Sequence, residues 1–480
     1  MKSKLLASVY SPDDFKKKGQ QIIIELADHL KNTTTGENAK TINWNEPENE
    51  LDFWRNFLKK GNEKDLFSET LKRSIHVHHP KYIGHQIAAT APITVLTSLI
   101  SAMFNNGMAV YEMGMSSTAM ERIVTDHLCQ KIGWDSNARG LLTSGGTLAN
   151  LTALLAARKA KVSHDVWNEG NIKPLGIMVS EEAHYCVDRA AKIMGLGEKG
   201  IIKIPANDGY ALDTSQLETS YREAKAKGIE VFAIVGSAPS TATGIYDDLK
   251  AIGNFVKQHD LWFHVDGAHG GAAIYSRKYK HLLNGMEEAD SVVIDGHKMM
   301  LMPALTTALL FKNGMDSHAT FSQKADYLLN DTDHEDWYNG GKRTFECTKT
   351  MMSLHWYALL KCYGEALFDE FVTRQYDLAR ELAQLLLNDA NFEIAITPQS
   401  NILCFRYVDS SLVNDELNSL NAQIRAQLLA DGEFYLVQTK LRGNHYLRTS
   451  LMNPFTTTDQ FKKLLVKIKK TAHSVLLKKN

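Results

Sequence analysis

The 480-residue chain has almost no net charge, because 54 lysines and arginines face 55 aspartates and glutamates, leaving −1. No global field therefore draws it to nucleic acid or to an anionic membrane. A cysteine framework is also missing. Cys129, Cys186, Cys347, Cys362 and Cys404 are odd in number and scattered, with no C-x-x-C pair and no metal-ligand spacing. This pattern predicts no bound metal and reduced, mostly buried thiols in a cytosol. Nor is there a long unbroken apolar run. The longest, Ile87 to Phe104, is interrupted by Pro92 and by Thr90, Thr94, Thr97, Ser98 and Ser101, which predicts a buried or interface helix and no membrane span. The first residues, Met1 to Ser8, carry two lysines but no apolar stretch before Ser11-Pro12-Asp13-Asp14, so no signal peptide is expected. Internal repeats and low-complexity tracts are absent. These exclusions point to a cytoplasmic small-molecule enzyme, long enough for two or three domains.

The pattern along the chain is alternating. Ser11 to about Lys31 predicts an amphipathic helix, with Ser11 as N-cap, Pro12 at the first helical position and Asp14 completing a capping box. A polar segment, Asn32 to Glu50, reads as a linker or loop. From Gly140 onward, strands predicted at 140–143, 176–179, 201–204, 231–235, 262–265 and 291–294 alternate with helices at 148–161, 184–194, 215–227 and 249–259. Continuous apolar strands joined by crossovers imply a mostly parallel sheet covered on both faces, whose site lies beyond the carboxyl ends of the strands. After Lys349, two long helices (350–363, 364–388) precede strands within 392–407 and at 446–451, a helix at 414–431 and a basic terminal helix from Thr458. Domains are expected at 1–85, 86–345 and 346–480, the last a small α+β unit.

Chemistry-bearing residues follow the predicted strands. Asp266 ends Trp262-Phe263-His264-Val265-Asp266, and Asp295-Gly296-His297-Lys298 follows Val292-Val293-Ile294. A pyridoxal phosphate (PLP) enzyme needs such a pair: a lysine to hold the aldehyde as a Schiff base, and a carboxylate to keep the pyridine nitrogen protonated so that the ring becomes an electron sink. Thr143-Ser144-Gly145-Gly146-Thr147 lies between a strand and a helix. By itself it is an ordinary glycine-rich turn, yet its N–H groups and helix dipole suit a phosphate. Ala183-His184 opens a helix after another strand; a lone histidine there could simply cap it, or could stack on a cofactor ring. Ser240-Thr241 and Ala268 follow two further strands. Ordinary turns would not be expected to fall together in the order a PLP cradle requires.

On these residues the chain resembles the group II PLP-dependent amino-acid decarboxylases, the family of glutamate, aromatic amino-acid, cysteine sulfinate and tyrosine decarboxylases. The likeness runs from about His79 to Thr350 and rests on His79-Pro80-Lys81-Tyr82, Ser144-Gly145-Gly146-Thr147, Asn150 to Leu154, Ala183-His184, His264-Val265-Asp266 and Asp295-Gly296-His297-Lys298. The resemblance implies an α/β protein of PLP fold type I, like aspartate aminotransferase: a mostly parallel seven-stranded sheet with helices on both faces, plus the small C-terminal α+β domain. It implies a homodimer with shared active sites and an N-terminal region packed on the partner. It also implies Lys298 as the Schiff-base lysine, Asp266 as pyridinium partner, and His184 as ring-stacking base. Gly145, Gly146, Thr147 and His297 would lie at the phosphate, with Thr241 and Ala268 along the ring.

The expected reaction is decarboxylation of an L-amino acid to an amine and CO2, via an external aldimine and a quinonoid. Relatives often supply the final proton from a tyrosine on a mobile loop of the neighbouring subunit. The segment from Lys324 to Arg343 offers Tyr327 and Tyr338, of which Tyr338 is the candidate. Where aromatic-specific relatives carry bulky apolar residues after the His-Pro motif, this chain has Gly84-His85-Gln86-Ile87. His85 and Gln86 suit a polar or acidic side chain, such as glutamate, aspartate or cysteine sulfinate, and could equally bond backbone at a subunit interface. Arg343 and Arg448 are candidate carboxylate clamps. The alternatives are an aromatic (tyrosine-type) decarboxylase, and an aminotransferase, against which His184 and the His297-Lys298 pair argue.

Overall fold

The structure is a computed structural model that describes residues 4–36, 40–321 and 336–477. Packing divides the chain into two compact units. One comprises residues 86–383 and 396–403, and is built on a seven-stranded sheet: β1 (Arg139–Thr143), β2 (Leu175–Ser180), β3 (Ile201–Ile204), β4 (Glu230–Ser237), β5 (Trp262–Asp266), β6 (Ser291–Asp295) and β7 (Thr307–Phe311). The strand order is β1-β7-β6-β5-β4-β2-β3. β2, β3, β4, β5 and β6 pair in parallel, and β7 runs antiparallel to both β1 and β6. Every residue of β2, β5, β6 and β7 is buried. That burial explains why these strands are continuous apolar runs rather than alternating ones.

Six of the seven strands coincide with predicted ones, the observed strands being longer by a residue or more at most ends. The seventh, β7, is additional. It turns back from the loop carrying Lys298 and pairs along β6 with Asp295 opposite Thr307.

The helix Gly146–Lys161 lies against the sheet and is buried almost throughout from Ala149 to Ala157. Ala149, Ala153, Ala156 and Ala157 are fully enclosed, their small side chains allowing close approach to the strands. The helix Tyr185–Ile193 packs beside it in the same core. The predicted long helices after Lys349 are Ser353–Tyr363 and Ala366–Leu387, separated at Gly364, whose φ of 67° is left-handed and costs glycine little.

The other unit comprises residues 1–85, 384–395 and 404–480. Its strands are β8 (Phe392–Ile394), β9 (Ile402–Tyr407, of which Cys404 onward belongs to this unit), β10 (Val437–Leu441) and β11 (Asn444–Ser450), in the order β10-β11-β9-β8. The helices Asn414–Asp431 and Thr458–Leu477 accompany them. Ser11 caps the helix Pro12–Thr34 by accepting from the Asp14 amide at 3.3 Å. The His79-Pro80-Lys81-Tyr82 motif is structural here. Tyr82 stacks on Tyr435 with centroids 5.5 Å apart, Lys81 pairs with Glu433 at 2.7 Å, and Asn453 donates to the His79 carbonyl at 2.9 Å.

Candidate active site

Five strands of the large sheet end at one cavity. Past β1 come Ser144 to Thr147, past β2 His184, past β4 Thr241, at the end of β5 Asp266 and Ala268, and past β6 His297 and Lys298; all of these line it. The nine residues read from the sequence as cofactor contacts (Gly145, Gly146, Thr147, His184, Thr241, Asp266, Ala268, His297 and Lys298) are thus brought to a single place. Asn150, Cys186, His269 and Asp295 join them; Asn150 and Asp295 stand in the quoted motifs, but none of the four was expected to contact the cofactor.

Asp295 is the first of those omissions to matter. Its Oδ2 is 2.9 Å from Lys298 Nζ and 3.5 Å from His297 Nε2, and Thr307 Oγ1 donates to its Oδ1 at 2.5 Å. The carboxyl is 1 % exposed. Burial alone would push its pKa up, but the charges of Lys298 and His297 and the Thr307 hydroxyl outweigh that and hold it below the usual range. Burial likewise pulls Lys298 down, and Asp295 with Asp266 more than reverses it, so the ammonium is held above its ordinary pKa. A strand-ending aspartate three residues before the lysine was the available signal; spacing could not say which of two such aspartates would touch the ammonium.

Asp266 is 9 % exposed. Its Oδ1 accepts from the Ala268 amide at 3.2 Å and its Oδ2 from the Asn150 side-chain amide at 3.3 Å. His184 is the N-cap of the helix Tyr185–Ile193, with Nδ1 accepting from the Cys186 amide at 3.3 Å. The capping role and the cavity-lining role therefore coexist, since an acceptor Nδ1 leaves the Nε2 edge free to face elsewhere. Burial lowers the His184 pKa against the raising effect of Asp266, which favours the neutral ring. The enclosed Cys186 thiol is pushed up, by burial first and then by Asp266, and stays protonated.

The glycine turn meets the requirements of a phosphate site. Gly145 has φ 114°, outside the range of ordinary side chains, and begins the helix Gly146–Lys161 with its free N–H groups toward the cavity end. A Cβ on Gly146 would lie 3.2 Å from Asp295 Oδ2 and 3.4 Å from the Ala268 side chain, so the floor of the cavity needs that position bare. Glu346 braces the turn from outside: its Oε1 accepts from the Ser144 hydroxyl at 2.7 Å and amide at 3.2 Å, and from Thr143 Oγ1 at 2.9 Å. A lysine at one wall, a buried carboxylate at another and a glycine-lined helix N-terminus form a donor set that fits PLP.

Other sequence candidates lie elsewhere. Tyr338 is half-buried, edge-on to Tyr111 and Trp337 at centroid distances of 5.7 and 5.8 Å, and does not line the cavity. Tyr327 lies outside the described residues. His85 and Gln86 are not among the lining residues. His85 sits 5.9 Å from the Tyr435 ring, and burial, then Arg448 and Arg425, lowers its pKa. Arg343 is engaged in structure, donating through Nε to Ser317 Oγ at 2.9 Å and through a terminal nitrogen to the Gly140 carbonyl at 3.1 Å. Arg448 lies on β11 and is buried.

Comparison with known proteins agrees with this geometry. Residues 62–408 match the family described as pyridoxal-dependent decarboxylase conserved domain. The chain belongs to that family, and is a PLP-dependent amino-acid decarboxylase. It is 26 % identical over 472 residues to the aromatic-L-amino-acid decarboxylase of Bacillus atrophaeus, covering 97 % of each chain. It is 28 % identical over 455 residues to the aspartate 1-decarboxylase of Aliivibrio fischeri, covering 85 % of this chain and 82 % of that one. The fold is similar to the crystal structure of mouse CSAD, with a TM-score of 0.89 at 22 % identity over 96 % of this chain and 99 % of the other. Among the described residues no helix is long and apolar enough to cross a membrane, and no cluster of three or more histidine, cysteine or acidic side chains could hold a metal.

Proposed function

We propose that the amino acid decarboxylated carries a polar or acidic side chain, of the glutamate, aspartate or cysteine sulfinate type, and that two copies of the chain share the active sites. The observation that carries the chemistry is the single cavity holding Lys298, Asp266 and the glycine turn. PLP supplies the electron sink that takes up the bonding pair when CO2 leaves. In this reading Lys298 holds the cofactor through Nζ, Asp266 accepts its ring N–H, and Gly145, Gly146, Thr147 and His297 surround its phosphate. Thr241 and Ala268 would line the ring, and His184 would stack on it.

Two features support an acidic or polar substrate: the polar pair His85-Gln86 after the His79-Pro80 motif, and the likeness to an aspartate 1-decarboxylase. His85 and Gln86 are the proposed substrate contacts on the strength of their polarity, since neither is among the residues that line the cavity. The alternative, an aromatic side chain, is favoured by the relative covering 97 % of the chain. The aminotransferase alternative gives way to the decarboxylase family to which the chain belongs. CO2 release measured across glutamate, aspartate, cysteine sulfinate, tyrosine and phenylalanine tests the reading. A higher kcat/KM for one of the first three is expected; a preference for the aromatic pair overturns it.

Homodimerisation is supported by the helix Pro92–Phe104, which leaves Val95, Leu96, Leu99, Ile100, Met103 and Phe104 exposed along one face. An apolar face of that extent calls for a partner. A second copy also brings a tyrosine, with Tyr338 proposed to deliver the proton to the substrate carbon across the interface. The proposed location is the cytoplasm, consistent with five free cysteines.

A further inference from the structure

Behind Asp266 runs a buried chain of side chains that does not reach the cavity except through Asn150. Trp262 Nε1 donates to Ser291 Oγ at 2.9 Å, Ser291 Oγ is 2.8 Å from His264 Nδ1, and His264 Nε2 is 2.7 Å from Asn150 Oδ1. Asn150 Nδ2 then lies 2.9 Å from the Gly146 carbonyl and 3.3 Å from Asp266 Oδ2. All the members are enclosed, with His264 and Ser291 fully so and Asn150 1 % exposed.

The direction of every bond in the chain is determined. The Asn150 amide nitrogen must face a carbonyl and a carboxylate, both pure acceptors, so its oxygen faces His264, and His264 Nε2 must carry the hydrogen. A neutral imidazole has one N–H, so Nδ1 accepts; the Ser291 hydroxyl donates to it while accepting from the indole. Burial lowers the His264 pKa to about 4, which keeps the ring neutral while the enzyme works. The sequence of donors ends on the carboxylate and leaves no buried polar atom of the chain idle.

We infer that His264 and Asn150 are positioning residues, which orient the Asp266 carboxylate toward the cofactor's ring nitrogen. The inference rests on the reading of Asp266 as pyridinium partner. His264 is two residues before Asp266 on β5 and so shares its face of the strand, while Asn150 is one helical turn beyond Gly146. One side-chain amide thus ties the carboxylate to the carbonyl of the phosphate turn, coupling the two ends of the cofactor site.

The test uses the holoenzyme of the wild type, His264→Leu and His264→Gln, each loaded with PLP labelled with nitrogen-15 in the ring. Its readouts are the ring-nitrogen shift, the PLP dissociation constant, and kcat and KM. In the wild type the nitrogen should be protonated at neutral pH; an unprotonated one would sink the role of Asp266 itself. In His264→Leu the protonated fraction should fall, PLP should bind about tenfold more weakly and kcat should drop about tenfold, the scale of one lost neutral hydrogen bond, with KM little changed. His264→Gln, whose amide restores a donor toward Asn150, should return all three toward wild type. Wild-type shift and PLP affinity in the leucine variant would overturn the positioning role while leaving Asp266 in place. Should His264→Leu not fold, Asn150→Ser is judged by the same readouts and the same outcomes.

Discussion

At the scale of the residue, the site sets two charges against each other. Lys298→Ala removes the ammonium that Asp295 and Asp266 hold, and should abolish both the visible absorbance of bound PLP and CO2 release; turnover retained in that variant refutes the assignment. Asp266→Asn should still bind PLP, more weakly, and lose about a hundred- to a thousandfold in kcat, the cost of removing one preorganised electrostatic partner. A third residue-scale prediction concerns acid stability. His355 is buried, bonds Thr97 Oγ1 through Nδ1 at 2.7 Å, and has its pKa lowered by burial to about 4. The unfolded chain therefore binds this proton more tightly, so the contribution is present above the ordinary histidine pKa and is lost as pH falls from about 6.5 through 4. Urea unfolding at neutral pH and at mildly acidic pH should show His355→Leu losing less stability on acidification than wild type, by up to about 3 kcal/mol. The cavity-lining residues Gly145, Gly146, Thr147, His184, Thr241, Asp266, Ala268, His297 and Lys298 were legible in the sequence because they follow apolar runs. Asn150 was not, since its role depends on a helix bringing it across from β5, a distance that spacing along the chain does not encode.

At the scale of the element, the edges and turns decide. β1 is an edge strand, and its outward backbone groups are covered by charge: Glu121 Oε1 accepts from the Leu142 amide at 3.0 Å, Lys349 Nζ donates to the Leu142 carbonyl at 2.6 Å, and the two side chains pair at 2.5 Å. Lys349 is 4 % exposed, so Lys349→Met leaves a nearly buried carboxylate unpaired and should cost about 3–5 kcal/mol in urea unfolding. Replacing both partners, as Glu121→Gln with Lys349→Met, should recover a large part of that loss. The pair was invisible to sequence reading, its members being separated by most of the large unit. β7 was missed for a different reason. Thr307-Ala308-Leu309-Leu310-Phe311 is short, apolar and lacks alternation, and such a run does not declare itself strand or helix. β2, β5 and β6 are equally apolar but are bounded by polar turns, which made them readable. β10 alternates, with Val437 and Leu441 buried and Gln438 and Lys440 exposed, yet its pattern is brief and it too was passed over.

At the scale of the whole molecule, the proposed dimer is the feature on which catalysis would depend. Leu99→Glu, on the exposed face of the helix Pro92–Phe104, should convert the protein to monomers in light scattering and lower CO2 release with it; an active monomer would remove the shared-site reading. The class of fold was legible because strands and crossovers alternate, whereas the pairing of β7 required coordinates. That pairing has a consequence for what the chain can absorb. The loop from Gly296 to Thr306 is closed by β6 and β7 in fixed register, with Asp295 opposite Thr307 and Thr307 bonded to the same carboxyl that holds Lys298. Because side chains alternate across a sheet, a one-residue slip of β7 would turn Thr307 away from Asp295 and reverse every buried side chain of the strand. The segment bearing the lysine can therefore accept exchanges of residue type far more readily than any insertion or deletion.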